Sequence, residues 1–163
     1  MITAAFNAGE ASQRAFDSAR ASMATLNRAV HETARKYRVT AQADVTGFGF
    51  LGHLSEMTSD GISIAVNAAA IPYIPEALCL AADFMTTSAG DASRQFFGTG
   101  ISHNVTNEPL IGVMYDPQTS GGLLIAVHPD DADKLLHDLQ ALEQPSAIAA
   151  EAIVSESYCI VIK

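Results

Sequence analysis

The spacing of apolar residues predicts that the chain begins with helical structure. Between residues 8 and 37, apolar side chains recur every three or four positions, as they do on the buried face of an amphipathic helix. The segment contains no proline, and its one glycine, Gly9, lies at its start. The pattern fits one long helix, or two helices that break near Ser18 or Ser22.

Strands and helices alternate along the rest of the chain. Residues 39–45 predict a short strand, and the turn residues 46–49 (TGFG) separate it from a predicted helix over residues 50–57. Residues 62–66 alternate apolar and polar positions, which indicates a second strand. Residues 85–107 are rich in Thr, Ser, Gly and Asn with weak periodicity, so we expect a long functional or mobile loop there. The other predicted elements are a helix over residues 76–84, an apolar segment of undecided type over 110–115, a buried strand over 123–127, a helix from Pro129 to about Leu142, and a closing pair of strands over 147–154 and 158–162.

Composition and charge limit the classes of function. The chain of 163 residues has the length of one domain, and its 48% of hydrophobic residues argue against disorder. Its net charge of −9 argues against nucleic-acid binding, which needs basic residues that neutralise phosphates. No apolar run approaches the ~20 residues that span a bilayer, and no cationic and apolar leader opens the chain. We therefore expect no membrane partner and a cytoplasmic location.

Positive charge is concentrated in the predicted N-terminal helix. Six of the nine Lys and Arg residues precede Val39. We interpret this concentration as a solvated helix face, and the alternative is a surface that meets anionic groups on a partner domain.

The first segment with the residues for chemistry is 44–49 (DVTGFG), where a carboxylate ends a strand and a glycine turn leads into a helix. Glycines let the backbone approach a ligand, and a helix N-terminus offers free N–H groups to an anion such as phosphate. The Asp44 carboxylate beside such an anion would suit Mg²⁺, which commonly binds one or two carboxylates together with substrate phosphates. From spacing alone, we favour the alternative that Asp44 caps the turn and the glycines permit tight packing.

The second such segment is 116–122 (DPQTSGG), in which two glycines follow two hydroxyl side chains at the entry to a strand. The glycine N–H groups could form a concave set of donors that binds an anion. An ordinary turn, with Pro at its second position and Gly at a positive φ, explains the same residues equally well.

Residue order identifies no metal cluster and no catalytic triad. The five histidines show no pairing at metal-ligand spacing, and two cysteines are too few for a Cys-based zinc site or a disulfide framework. His53, on the helix after the first turn, is interpreted as a structural hydrogen-bonding residue. Cys79 and Cys159 are expected to be buried thiols of the core.

The two turn segments lie within longer runs that together resemble a known family. Residues 43–54 (ADVTGFGFLGHL) closely resemble a signature in the C-terminal half of the selenophosphate synthetases (selenide, water dikinases). Residues 115–127 (YDPQTSGGLLIAV) resemble the second C-terminal signature of that family, in the same order and at a plausible separation. The pair is far more specific than either run alone, and the resemblance covers nearly the whole chain.

The resemblance implies an α+β fold of the aminoimidazole ribonucleotide synthetase superfamily, with a mixed β-sheet and α-helices packed mainly on one face. The family makes selenophosphate, AMP and phosphate from ATP, selenide and water, with Mg²⁺ and a monovalent cation, usually K⁺. Its members have two domains and form homodimers through their N-terminal domains. A Mg²⁺-binding aspartate of the family matches Asp44, which reverses the preference for a capping role.

These arguments together give a set of candidate site residues within the two turns. The candidate metal ligand is Asp44. The candidate nucleotide-contacting residues are Thr46, Gly47, Gly49, Thr119, Ser120, Gly121 and Gly122. No catalytic residue is assigned to this chain.

The chain lacks the segments with which the family carries out its chemistry. In the family, the N-terminal domain holds a glycine-rich segment with a Cys or selenocysteine, a nearby Lys and most of the Asp ligands. Here no Cys precedes Cys79 and no Lys precedes Lys36. We therefore interpret residues 1–163 as the single C-terminal domain of such an enzyme, without its N-terminal ATP-binding catalytic domain. Since phosphoryl transfer depends on positioning and charge neutralisation of the phosphates, we expect no turnover from this chain alone.

One loop departs from the family pattern, and two other hypotheses stay open. Many family members carry Pro-Gly-Gly-Thr-x-x-Asn where residues 88–95 (SAGDASRQ) keep one glycine and no asparagine in register. No role is assigned to this loop, and Arg94 within it is interpreted as solvent-exposed rather than phosphate-binding. The alternatives are a non-catalytic interaction module of the same fold, or another ATP-dependent member of the superfamily, such as a ribonucleotide synthetase or a thiamine-monophosphate kinase.

Overall fold

Two helices lie within residues 8–37 of the computed structural model, and a short helix precedes them. The structure describes residues 1–103, 107–154 and 159–163. The helices are α1 (Ile2–Asn7), α2 (Gln13–Ala24) and α3 (Arg28–Ala34). The side chain of Ser12 caps α2 by accepting a hydrogen bond from the amide of Ala15. Of the two alternatives for residues 8–37, the one with two helices is therefore right, but the break lies at residues 25–27 and not near Ser18 or Ser22.

A two-stranded antiparallel sheet carries both turn segments. Strand β1 (Val39–Asp44) pairs with the later strand β4 (Leu123–Val127), and Asp44 stands opposite Leu123. Helix α4 (Gly49–Ser55) follows the first turn, as predicted. The pairing therefore brings together two sequence motifs that lie about seventy residues apart.

A four-stranded mixed sheet lies in the other part of the fold. Its strands are β2 (Ile62–Val66), β3 (Ile101–His103), β5 (Ala150–Val154) and β6 (Ile160–Ile162). Their order in the sheet is β3-β6-β2-β5. Strand β2 pairs antiparallel with β5 and parallel with β6, and β3 pairs parallel with β6. The two closing segments are thus strands, but β2 lies between them, so they do not pair with each other.

The later helices are α5 (Pro75–Ala82), α6 (Ser88–Phe97), α7 (Glu108–Tyr115) and α8 (Pro129–Gln140). Helix α6, a 3₁₀ turn and strand β3 occupy most of the segment that was expected to be a loop, so that expectation is wrong. Residues 104–106 of that segment lie outside the described residues. The side chain of Thr87 caps α6 by accepting from the amide of Gly90, which explains why a helix begins there.

Helices cover both sheets and make the fold α+β, as expected. Helices α4 and α7 pack on the mixed sheet in a core of buried apolar residues: Leu51, Leu54, Ile64, Val66, Ile111, Met114, Ile160 and Ile162. Helices α3 and α8 cover the two-stranded sheet with Val30, Ala34, Leu135 and Leu139. The first turn therefore connects β1 to α4, and the second connects α7 to β4. Across the described ranges, no helix is long and apolar enough to cross a membrane.

Candidate functional site

Backbone hydrogen bonds join the two turn segments into one structure beside the small sheet. We call residues 45–49 the first loop and residues 116–122 the second loop. The amide of Val45 donates to the carbonyl of Gly122 at 3.0 Å, and the amide of Gly121 donates back to Val45 at 2.9 Å. The amide of Gln118 donates to the carbonyl of Thr46 at 2.9 Å. The structure thus brings together the two segments that the sequence singled out separately.

Two of the four candidate glycines serve this close approach. Gly49 has a φ of +70°, and a Cβ on it would lie 2.7 Å from the carbonyl carbon and oxygen of Tyr115. A Cβ on Gly121 would lie 2.6 Å from the carbonyl oxygen of Val45. The amides of both glycines already donate within the protein, since Gly49 donates to Thr46 at 3.1 Å. These two glycines therefore hold the loops together rather than offering free N–H groups.

The other two candidate glycines face open space. Nothing lies within 4 Å of a Cβ placed on Gly47 or Gly122, and both residues are exposed. Thr119 is also exposed and Ser120 is half-buried. Neither hydroxyl makes a hydrogen bond with any residue that the structure describes. This open side of the loops is where a ligand would have access to backbone and hydroxyl groups.

Asp44 lies at the end of β1, immediately before the first loop, and its side chain is exposed. No partner among the described residues forms a hydrogen bond or an ion pair with its carboxylate. Both carboxylate oxygens are therefore available to a cation, as a Mg²⁺ ligand must be. Within residues 1–103, 107–154 and 159–163, no group of three or more His, Cys, Asp or Glu residues could hold a metal ion. The donor set fits a Mg²⁺ ion that takes one carboxylate here and its other ligands from elsewhere.

His53 lies on α4 directly behind the first loop, and its side chain is only 11% exposed. Its Nε2 is 3.0 Å from the hydroxyl of Thr46 and 3.4 Å from the amide nitrogen of Phe48. Its Nδ1 is 2.9 Å from a carboxylate oxygen of Glu56. The interpretation of His53 as a structural hydrogen-bonding residue agrees with these contacts. Glu56, three residues along the helix, was not singled out, although its spacing from His53 is the signal that could have identified it.

Asp116 fixes the start of the second loop from within the protein. The residue is buried, and its carboxylate accepts hydrogen bonds from the Thr87 hydroxyl at 3.1 Å and from the backbone nitrogen of Met1 at 2.8 and 3.0 Å. An adjacent cavity of about 30 Å³ has room for a water molecule but not for a nucleotide. Burial also raises the pKa of the neighbouring Tyr115 hydroxyl above its ordinary value. Asp116 is therefore a buried anchor of the loop.

An aromatic patch on the protein surface includes Phe48 of the first loop and extends from it. We use this name for Phe48, Phe96 and Phe97, whose rings stack edge to face at centroid distances of 5.5 Å and 4.8 Å. Phe96 is 77% exposed and Phe48 is 47% exposed. Large apolar side chains gathered at a surface are typical of a contact with another protein part.

The structure also tests the expectations for Arg94 and for the two cysteines. Arg94, on α6, forms an ion pair with Glu108 at 2.7 Å, so its charge is engaged by a carboxylate. Cys79 and Cys159 are exposed, and the expectation that they are buried core thiols is wrong. Cys79 lies on the exposed side of α5. The buried face of this helix is formed by Ala77, Leu80 and Ala81.

Comparisons with known proteins agree with the resemblance that the motifs indicated. The family model described as "AIR synthase related protein, C-terminal domain" matches residues 3–162. A selenide, water dikinase of Agathobacter rectalis is 42% identical over 149 residues, which cover 90% of this chain and 43% of the relative. A selenide, water dikinase of Desulfitobacterium hafniense is 35% identical over 162 residues, covering 99% of this chain and 48% of the relative. The chain therefore spans about half the length of the curated relatives it matches.

Proposed function

Since the chain belongs to the family of AIR synthase related protein C-terminal domains, we propose that it forms the C-terminal half of a selenide, water dikinase. In this role it contributes one side of a site for ATP and Mg²⁺ in an enzyme that makes selenophosphate, AMP and phosphate from ATP, selenide and water. The names of the relatives support this enzyme over the other ATP-dependent members of the superfamily.

The observation that carries the proposal is an unpaired carboxylate beside two joined glycine loops. Asp44 is exposed and has no partner among the described residues, while Gly47 and Gly122 leave the backbone beside it open. We assign the contact with Mg²⁺ to Asp44, and contacts with the phosphates to the open side of the loops, formed by Gly47, Thr119, Ser120 and Gly122. Bound Mg²⁺ would neutralise phosphate charge during transfer.

Fewer glycines are assigned to contacts with the phosphates than the two motifs suggested. The amides of Gly49 and Gly121 are used inside the protein, so their part in nucleotide binding is to keep the loops in place. No residue of this chain is assigned to K⁺, which enters only as a requirement of the complete enzyme. The proposal also includes a cytoplasmic location for the complete enzyme.

The proposed partner of this chain is the enzyme's own N-terminal domain, through which the complete enzyme forms a homodimer. One Asp and two loops cannot surround a triphosphate with its metal ions, so residues 1–163 alone are expected to show no turnover. The aromatic patch is the surface we assign to contact with the N-terminal domain, because it includes Phe48 of the first loop and exposes most of the Phe96 ring.

The test joins this chain to the N-terminal half of the Desulfitobacterium hafniense selenide, water dikinase. Phosphorus NMR of the folded hybrid with ATP, Mg²⁺ and selenide should show selenophosphate, and residues 1–163 alone should show none. The Asp44→Asn hybrid should lose activity by about a hundredfold or more, on the scale of removing one preorganised electrostatic group. A folded wild-type hybrid that makes no selenophosphate would contradict the proposal.

A further inference from the structure

We propose that His53 is a positioning residue that turns the Thr46 hydroxyl proton inward and leaves its oxygen as an acceptor at the candidate site. The hydrogen bonds from which this is argued lie within the chain, and only the identity of the ligand rests on the proposed function. His53 contacts the first loop through the Thr46 hydroxyl, the backbone amide of Phe48 and the Phe48 ring, whose centroid lies 5.3 Å from that of the imidazole. Its action on a ligand would therefore pass through the first loop.

The partner on one side of the imidazole fixes the position of its ring proton. Glu56 Oε2 lies 2.9 Å from Nδ1 of His53, and an ionised carboxylate can only accept a hydrogen bond. Nδ1 must therefore carry the proton in the neutral ring. Glu56 is the C-cap of α4, three residues after His53, and this spacing places both side chains on the same side of the helix end.

The partners on the other side of the ring lead to the same assignment. The amide of Phe48 can only donate, and it is directed at Nε2 of His53 over 3.4 Å. Nε2 of the neutral ring is therefore an unprotonated acceptor. The Thr46 hydroxyl, 3.0 Å from the same nitrogen, must then be the donor in the shorter of the two contacts.

This direction decides what Thr46 can offer to a ligand. A hydroxyl has one proton, and in Thr46 it is directed into the protein toward His53. The remaining lone pairs can receive a hydrogen bond or bind a cation, but they cannot donate to a phosphate oxygen. We therefore assign Thr46, which was a candidate contact for the nucleotide, to the cation that accompanies the phosphates.

Nitrogen NMR of histidine-labelled chain tests the ring assignment without any enzyme activity. Well above the pH at which an ordinary imidazole protonates, His53 should show a protonated Nδ1 and an unprotonated Nε2, with His53→Gln identifying its signals. Glu56→Gln should produce a mixture of tautomers and faster hydrogen exchange at the Phe48 amide, because a Gln amide can donate as well as accept. Glu151→Gln is the matched control, since Glu151 is exposed on β5 and its carboxylate has no hydrogen bond or ion pair with the described residues. A protonated Nε2 in the wild type, or no change in Glu56→Gln, would overturn the proposal.

A second arm separates the role of Thr46 from the proposed function. In the active hybrid enzyme, Thr46→Val should raise the Mg²⁺ concentration for half-maximal rate by about tenfold or more, with a smaller change in the KM for ATP. Thr46→Ser keeps the oxygen and should restore the wild-type requirement. A changed KM for ATP with an unchanged Mg²⁺ requirement would overturn the assignment to a cation. An inactive wild-type hybrid would instead count against the proposed function, while the NMR result would still decide the position of the ring proton.

Discussion

Replacing Gly121 with Ala tests whether the two loops are held together by close backbone packing. A Cβ at Gly121 would lie 2.6 Å from the carbonyl oxygen of Val45 and 3.1 Å from the Cβ of Val45. The closest neighbour is a backbone atom in a paired segment, so it cannot rotate away. Overpacking of a fitted site costs about 1–3 kcal/mol, and the weakened Gly121–Val45 hydrogen bond adds about 1 kcal/mol. We therefore expect the free energy of unfolding to fall by about 2–4 kcal/mol.

The adjacent glycine provides a matched control for this substitution. Nothing lies within 4 Å of a Cβ on Gly122, and its φ is not in the left-handed region. In a domain of this length, 1 kcal/mol corresponds to about 2–4 °C. Thermal unfolding followed by circular dichroism should show a Tm about 4–16 °C lower for Gly121→Ala, and equal to or slightly above wild type for Gly122→Ala. Equal Tm values for the two variants would refute the close approach of the loops.

Three further predictions concern a helix cap, an ion pair and the aromatic patch. Thr87→Ala removes the cap of α6 and a donor to Asp116, so urea titration should show a loss of about 1–2 kcal/mol that Thr87→Ser largely avoids; equal stability of Ala and wild type would refute the cap. Hydrogen bonds from Arg38 lower the pKa of the Asp131 carboxyl from 3.8 to about 2. The stability that this pair contributes is complete above the ordinary Asp pKa and is lost as the pH falls through the lowered value. Arg38→Gln should therefore flatten the decline of Tm between about pH 5 and 2. Parallel curves of Tm against pH for the variant and the wild type would count against the ion pair. Phe96→Ser should leave the Tm of the chain unchanged but weaken its calorimetric binding to the separate N-terminal half, and an unchanged affinity would contradict the interface.

Local sequence patterns were sufficient to predict the type and position of elements that follow one another directly in the chain. The strand, glycine turn and helix around residues 39–55 follow from apolar spacing and a glycine turn, and they form as predicted. The pairing of β1 with β4 could not be derived from these patterns, because it depends on contacts between residues far apart in the chain. The closing strands show the same limit, since each was predicted as a strand, and so was β2, but the position of β2 between them was not predicted.

Helix α6 was missed because its buried side is made of small residues. Gly90 and Ser93 are its buried positions, and a Cβ on Gly90 would lie 3.5 Å from the carbonyl oxygen of Tyr115. A helix that packs closely through small residues lacks the periodic apolar pattern on which the prediction relied. The Thr87 cap was the sequence signal that could have identified it.

The break before α3 was misplaced for a related reason. It falls at residues 25–27, where Thr25 adopts an extended conformation (φ −77°, ψ 122°) and the side-chain amide of Asn27 donates to the carbonyl of Gly121 at 3.0 Å. A long-range contact with the second loop therefore accompanies the break, and no local pattern reports it. The same contact links the N-terminal helices to the candidate site.

The most direct test of the central claim is whether a divalent cation binds beside Asp44 together with a nucleotide. Mn²⁺ in place of Mg²⁺, with a non-hydrolysable ATP analogue, should broaden the NMR signals of the first loop in the hybrid enzyme, with Asp44→Asn as the comparison. We predict strong broadening at residues 44–48 in the wild type and its loss in the folded Asp44→Asn variant. Broadening that is absent from these residues, or that is the same in both proteins, would contradict the account.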